Sequence, residues 1–146
     1  MTKAVRAIIM TDTHILVMFR NKQGSKYATL VGGRINEDET PEEALIREIR
    51  EETKLKITNY ELVFIEEHAA PYNSQYIYLC EVESYNPVDL EEFSEEATLN
   101  RLGFNMHKPM WVAKTGFKNL AFRTPALQSA IVDALKNGFP AEPIDL

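Results

Sequence analysis

A chain of 146 residues fits one compact domain, 1–146, with little room for a second. Its 45% hydrophobic and 26% charged content excludes disorder as the default reading, and no stretch approaches the roughly 20 apolar residues of a membrane span. The net charge of −6 argues against stable nucleic-acid binding, which needs a basic face to displace phosphate counterions, but it is compatible with a polyphosphate held through divalent cations.

Ala4 to Met10 and Ile15 to Phe19 are apolar, β-prone runs separated by Thr11-Asp12-Thr13, so the chain is expected to open with two strands and a turn. No secretory leader pattern stands in the first twenty residues, which points to a cytoplasmic protein. Arg20 to Lys26 reads as a polar loop around Gly24, and Tyr27 to Val31 as a third strand ending at Gly32-Gly33. A helix follows. Thr40 is its N-cap, Pro41 its first residue and Glu43 the capping-box partner, and the body, free of Gly and Pro, should end near Lys54. Strands are expected at Glu61–Ile65 and Gln75–Val82, joined by a turn at Pro71–Ser74. The acidic stretch Asp89–Glu96 reads as an exposed loop or short helix, and Met110–Ala113 as a further strand. Thr124-Pro125 caps a last helix, Ala126–Lys136, stopped by Gly138, and the proline-broken tail should drape over the surface. Strands alternating with separated helices predict an α/β fold, a mixed β-sheet sandwiched between helices (α/β/α). Cys80, the only cysteine, excludes an internal disulfide and reads as a buried strand residue.

The helix after Thr40 is unusual in where its charges fall. At about 100° per residue, Ala44, Leu45, Ile49 and, past the end, Leu55 gather on one side. Glu48, Glu51 and Glu52 lie within an arc of about 100° that overlaps that side, whereas a plain amphipathic helix puts its glutamates opposite. Gathering three carboxylates costs solvation and adds repulsion. A hard divalent cation with oxygen ligands would offset both, Mg²⁺ foremost. A solvated acidic face partnered by Arg47 and Arg50 is the competing reading, and the helix alone does not choose.

The residues upstream tip the balance. From Gly33 to Leu55 the chain reads G-x5-E-x7-R-E-I-x-E-E-x-K-L. This resembles the box of the Nudix hydrolases, G-x5-E-x7-R-E-U-x-E-E-x-G-U with U a bulky aliphatic residue. Gly33, Glu39, Arg47, Glu48, Glu51 and Glu52 match, as do Ile49 and Leu55; Lys54 alone departs, standing where the family has glycine.

The resemblance implies an α/β/α Nudix fold and a Mg²⁺-dependent enzyme, with Mn²⁺ as a substitute. Its reaction would be hydrolysis of a pyrophosphate bond in a nucleoside diphosphate linked to another moiety. A nucleoside triphosphate or nucleotide sugar is favoured, because the chain has no long insertion. By the same resemblance Glu48 and Glu52 are the principal metal ligands, Glu51 supports a second ion, and the carbonyl of Gly32 completes the set. Arg47 would orient these carboxylates and Glu39 would hold the loop. The general base is a box glutamate or one of Glu91, Glu92, Glu95 and Glu96. Arg20 and Lys22 are placed to pair with phosphate oxygens. His68 and His107 lack ligand spacing to each other and read as structural or surface residues, Trp111 as core, and Asn119–Leu127 as a stretch that can present Phe122 or Arg123 to a substrate. The partner implied is a small nucleotide, and a homodimer is left open. A non-catalytic Nudix domain that senses a nucleotide is the alternative, disfavoured because the box glutamates are retained; an isomerase is disfavoured by the isolated Cys80.

Overall fold

The computed structural model describes residues 3–67, 74–86, 88–92, 94–103 and 105–146. The expected turn residues Pro71, Tyr72 and Asn73, and His68, lie outside them. The elements in chain order are β1 (Ala4–Ile9), β2 (His14–Lys22), β3 (Ser25–Thr29), β4 (Val31–Arg34), α1 (Pro41–Thr53), β5 (Ile57–Glu66), β6 (Gln75–Val82), α2 (Glu95–Leu102), β7 (Asn105–Ala113), a 3₁₀ turn (Lys114–Asn119), α3 (Pro125–Asn137) and β8 (Ile144–Asp145).

The strands form two sheets. The larger is mixed, in the order β4-β1-β6-β5-β8, with β1–β6 and β5–β8 parallel; the smaller is antiparallel, β3-β2-β7. Period-two alternation sorts their side chains into two cores. Val5, Ala7 and Ile9 of β1 and Leu16 and Met18 of β2 pack with Ala44, Leu45 and Ile49 of α1. The intervening Ile8, Ile15 and Val17 pack with Leu127, Ile131 and Ala134 of α3. The sheets therefore lie between α1 and α3, the α/β/α sandwich expected.

Three expectations are corrected. Arg20–Lys26 is not a loop: β2 continues to Lys22 and β3 begins at Ser25, leaving a two-residue turn of Gln23 (φ 52) and Gly24 (φ 88). Two positive φ values match a hairpin turn whose twist suits its strands. Polar Arg20 and Asn21 are extended because β2 is the central strand, paired to Tyr27 and Lys26 on one side and to His107 and Met106 on the other. The run Tyr27–Val31 is not one strand either. It divides at Leu30 between β3 and β4, which belong to different sheets, and Gly32-Gly33 sit inside β4. Lastly, the tail does not simply drape. Ile144–Asp145 pairs with Phe64 and Ile65, and the Leu146 N–H donates to the Ile65 carbonyl (2.9 Å), covering an otherwise open sheet edge.

Helix α1 is capped as its sequence dictates. The Thr40 hydroxyl accepts from the Glu43 N–H (3.1 Å), and the Glu43 carboxylate accepts from the Thr40 N–H (3.0 Å). At the other end Lys54 adopts φ 64, ψ 5, the left-handed conformation that glycine closes most readily, and its N–H donates to the Arg50 carbonyl. The left-handed closure is thus kept by a residue that resists it. Lys54→Gly is therefore expected to stabilise the fold by about 1 kcal/mol, read as a rise of about 3 °C in Tm by thermal denaturation. Among the described residues no helix is long and apolar enough to cross a membrane.

Candidate active site

Burial of Ala44, Leu45 and Ile49 turns α1 so that its glutamates at 48 and 52 face the sheet; Glu48 is 7% and Glu52 3% exposed. One turn apart, the two carboxylates meet β4. The Gly32 N–H donates to Glu52 Oε1 at 2.6 Å, fixing that carboxylate from the sheet side. Gly33 lies against Glu48: a Cβ there would come within 2.6 Å of its carboxyl carbon. At Gly32, where φ is 142, a Cβ would strike the Val5 carbonyl at 2.0 Å. Gly32 is thus required by close approach to the β1 backbone, whereas a side chain at Gly33 would displace the Glu48 carboxylate from its place.

A third carboxylate arrives from far along the chain. Glu96 sits in the first turn of α2, which Ser94 caps through the Ala97 N–H (3.1 Å). One turn further, Asn100 clamps α2 to β7: its amide donates to the His107 carbonyl (2.7 Å) and its oxygen accepts from the His107 N–H. Glu48, Glu52 and Glu96 consequently offer oxygens that all lie within 4.8 Å of one another. Glu48 Oε2 and Glu96 Oε2 are both buried without a hydrogen-bond partner. Native proteins seldom leave buried acceptors unmet, and three carboxylates so close repel. Burial, opposed by the hydrogen bond from Arg47 and reinforced by Glu96, pushes Glu48 up to about 7. Burial followed by Glu96 pushes Glu52 well above the ordinary carboxylate range. A divalent cation with oxygen ligands satisfies both deficits at once, so the residues fit a Mg²⁺ site.

Arg47 braces the outer side. Its Nε and Nη2 donate to the two oxygens of Glu39 (2.6 and 2.8 Å), its Nη1 to Glu48 Oε1 (2.9 Å) and Glu51 Oε2 (3.3 Å), and its Nη2 also to the Arg34 carbonyl (3.1 Å). The bidentate pair holds Glu39 below the usual carboxylate range and pushes Arg47 up. Glu51 is thereby turned to the Arg47 side and does not share the Glu48–Glu52–Glu96 cluster. The Gly32 carbonyl accepts from Arg6 Nη1 at 3.2 Å. Of the later acidic residues, only Glu96 joins the cluster; Glu91 docks its N–H on the Glu51 carbonyl (2.7 Å). Arg20 lies in β2 directly opposite Tyr27 and His107, whereas Lys22 is exposed beside the hairpin turn.

Sequence reasoning passed over two neighbours. Arg6 on β1 bridges the Leu30 and Gly32 carbonyls and Gln75, and it lies close enough to Glu52 and Glu48 to feel both charges. His107 is buried, and burial followed by the Arg20 charge lowers its pKa, so it stays neutral beside Glu96. Neither carried a spacing signal, since only the β1–β4 and β2–β7 pairings place them here.

The NUDIX domain family model matches residues 1–116. Comparison with curated proteins finds no match. Among solved structures, MutT studied from Aliivibrio salmonicida and Vibrio cholerae is similar at 18% identity over 94% of this chain and 98% of that one, with a TM-score of 0.70. The ORF135 protein of E. coli is similar at 22% identity over 97% and 94% of the two chains (TM-score 0.67). An ADP-ribose pyrophosphatase from Streptococcus suis is similar at 15% over 99% and 96% (TM-score 0.65). At these identities the likeness is one of fold, while the family match spans most of the sequence, including every glutamate gathered in the cluster. The chain belongs to the NUDIX family of pyrophosphohydrolases.

Proposed function

We propose that the protein hydrolyses a pyrophosphate bond in a nucleoside diphosphate linked to another moiety, a nucleoside triphosphate or nucleotide sugar, with Mg²⁺ as its cofactor. The observation that carries this reading is the convergence of Glu48, Glu52 and Glu96 with two buried, unmet carboxylate oxygens. Glu48, Glu52 and Glu96 would hold the metal. Glu51, on the Arg47 side, and the Gly32 carbonyl, which retains a second lone pair, would support a further ion. When bound, Mg²⁺ neutralises the bridging phosphates and lowers the pKa of a coordinated water.

The protein's own groups then have three tasks. Arg47, tied to Glu39, fixes the rotamer of Glu48, which cuts the reorganisation needed as substrate binds. Gly32 and Gly33 let the β4 backbone come up to the carboxylates. A carboxylate oxygen must accept the proton of the attacking water; Glu96, on a helix separate from Glu48 and Glu52, is the residue we assign, through whichever of its oxygens does not hold the metal.

The test is product release from nucleoside triphosphates, nucleotide sugars and ADP-ribose in Mg²⁺ and in EDTA. The expected result is turnover in Mg²⁺ that EDTA abolishes. Binding of nucleotide without turnover on any compound would overturn hydrolysis and favour a sensor domain.

A further inference from the structure

Two helices deliver carboxylates to the cluster, and they are held in different ways. Helix α1 is oriented by burial, since Ala44, Leu45 and Ile49 lock its inner face against the sheets. Helix α2 is not: no residue of Glu95–Leu102 is buried, and Leu102 is 61% exposed. Apolar contact is non-directional and here slight, so it does not fix α2 closely enough to bring Glu96 to Glu48 and Glu52. Hydrogen bonds, which are directional, have to do so.

Two polar tethers hold this segment. The Asp89 and Glu91 N–H groups donate to the carbonyls of Thr53 (3.1 Å) and Glu51 (2.7 Å), joining the loop ahead of α2 to the end of α1. The other tether is the side chain of Asn100. Strand β7 is an outer strand of the smaller sheet, with β2 as its neighbour, and His107 keeps its N–H and carbonyl on the open side. Pro109, two residues on and facing the same way, has no N–H to present. The Asn100 amide meets both His107 groups. It donates to the carbonyl at 2.7 Å and accepts from the N–H, the pair of bonds that a residue of a further antiparallel strand would make.

Glu96 and Asn100 stand four residues apart and so share one face of α2. The face that docks on β7 is therefore the face that carries Glu96 to within 4.8 Å of the Glu48 and Glu52 oxygens. One side chain sets the place of the helix, and the other uses it.

We propose that Asn100 is a positioning residue for the reaction: by pairing with His107 it holds Glu96 in the cluster, and it acts only through Glu96. The catalytic consequence rests on the pyrophosphohydrolase reading; the tethering of α2 does not.

Two measurements separate the tether from the chemistry. In the metal-free protein, amide hydrogen exchange over residues 99–102 should be roughly tenfold faster in Asn100→Ala, with the α1 amides unchanged. In saturating Mg²⁺ the same substitution should lower kcat by roughly 10²-fold, the scale of a misplaced reacting group, with little change in KM. Introduced into Glu96→Gln, it should cost less than about twofold more, because the group it positions is already disabled. Asn100→Gln, with the same donor and acceptor on a longer arm, should recover part of both losses. Thermal denaturation checks that each variant folds, and if Asn100→Ala does not, the same cycle with Asn100→Gln decides. Unchanged exchange in α2, or losses that multiply in the double variant as two independent defects do, overturns the proposal. Wild type that turns over no nucleotide counts against the hydrolase reading alone, and the exchange measurement still decides whether Asn100 holds α2.

Discussion

Glu52→Gln is expected to lower kcat by roughly 10³-fold while leaving the metal-free protein more stable than wild type near pH 8. The two effects have one cause. Glu52 is buried, and its charge faces Glu48 and Glu96 with only the Gly32 N–H and the nearby Arg6 to compensate. Gln keeps the shape and the acceptor for Gly32 but removes the charge that a metal ion needs. Activity assays in Mg²⁺ together with thermal denaturation in EDTA check both halves. A residue that merely supported the fold would lose stability on substitution, so a fall in Tm alongside the fall in kcat would refute a metal-binding role. The rise in Tm that Mg²⁺ produces in wild type should shrink in the variant.

The second large effect is a pH dependence of the metal-free protein. The folded-state pKa of Glu48 is raised from 4.5 to about 7, chiefly by burial, and that of Glu52 is raised as well. Each folded carboxyl then binds its proton more tightly than the unfolded one. The resulting stability is fully present below the unfolded value and is lost as pH rises through the folded one. For Glu48 the window runs from about pH 4.5 to 7, with a full effect on the order of 3 kcal/mol. His107 acts in the opposite sense: its lowered pKa costs stability as pH falls below its ordinary value of 6.5. Mg²⁺ separates the two, because it competes with the carboxylate protons and leaves His107 alone. The difference in Tm between saturating Mg²⁺ and EDTA should therefore widen steadily from pH 5 to pH 8. A difference that stays flat over that range would show that the buried carboxylates do not hold the ion.

Much of this site was legible before folding was considered. The capping box at Thr40, the helix to Thr53 and the spacing of Glu48 and Glu52 are local facts, decided within a few residues by hydrogen bonding and by the 3.6-residue period. Even the anomaly was readable: Lys54 replaces glycine and still takes the left-handed conformation, because α1 and the strand that follows it are held by their own packing. Strand β6 matched its expected bounds, since its middle, Tyr76–Cys80, is an unbroken apolar run whose alternate side chains pack into both cores.

What escaped the sequence was everything that depends on pairing between distant segments. Arg20 and Asn21 looked like loop residues because polarity is judged locally, whereas the ladders on both sides of β2 hold them extended. Glu96 was one of four equivalent acidic residues until the Asn100 clamp on β7 turned it, and not Glu91, toward Glu48 and Glu52. Local composition determined the helix and the spacing of its clustered glutamates, because helical geometry needs only near neighbours. The tertiary structure alone decided which charges share a space, because strand register and sheet order bring residues together irrespective of their separation along the chain.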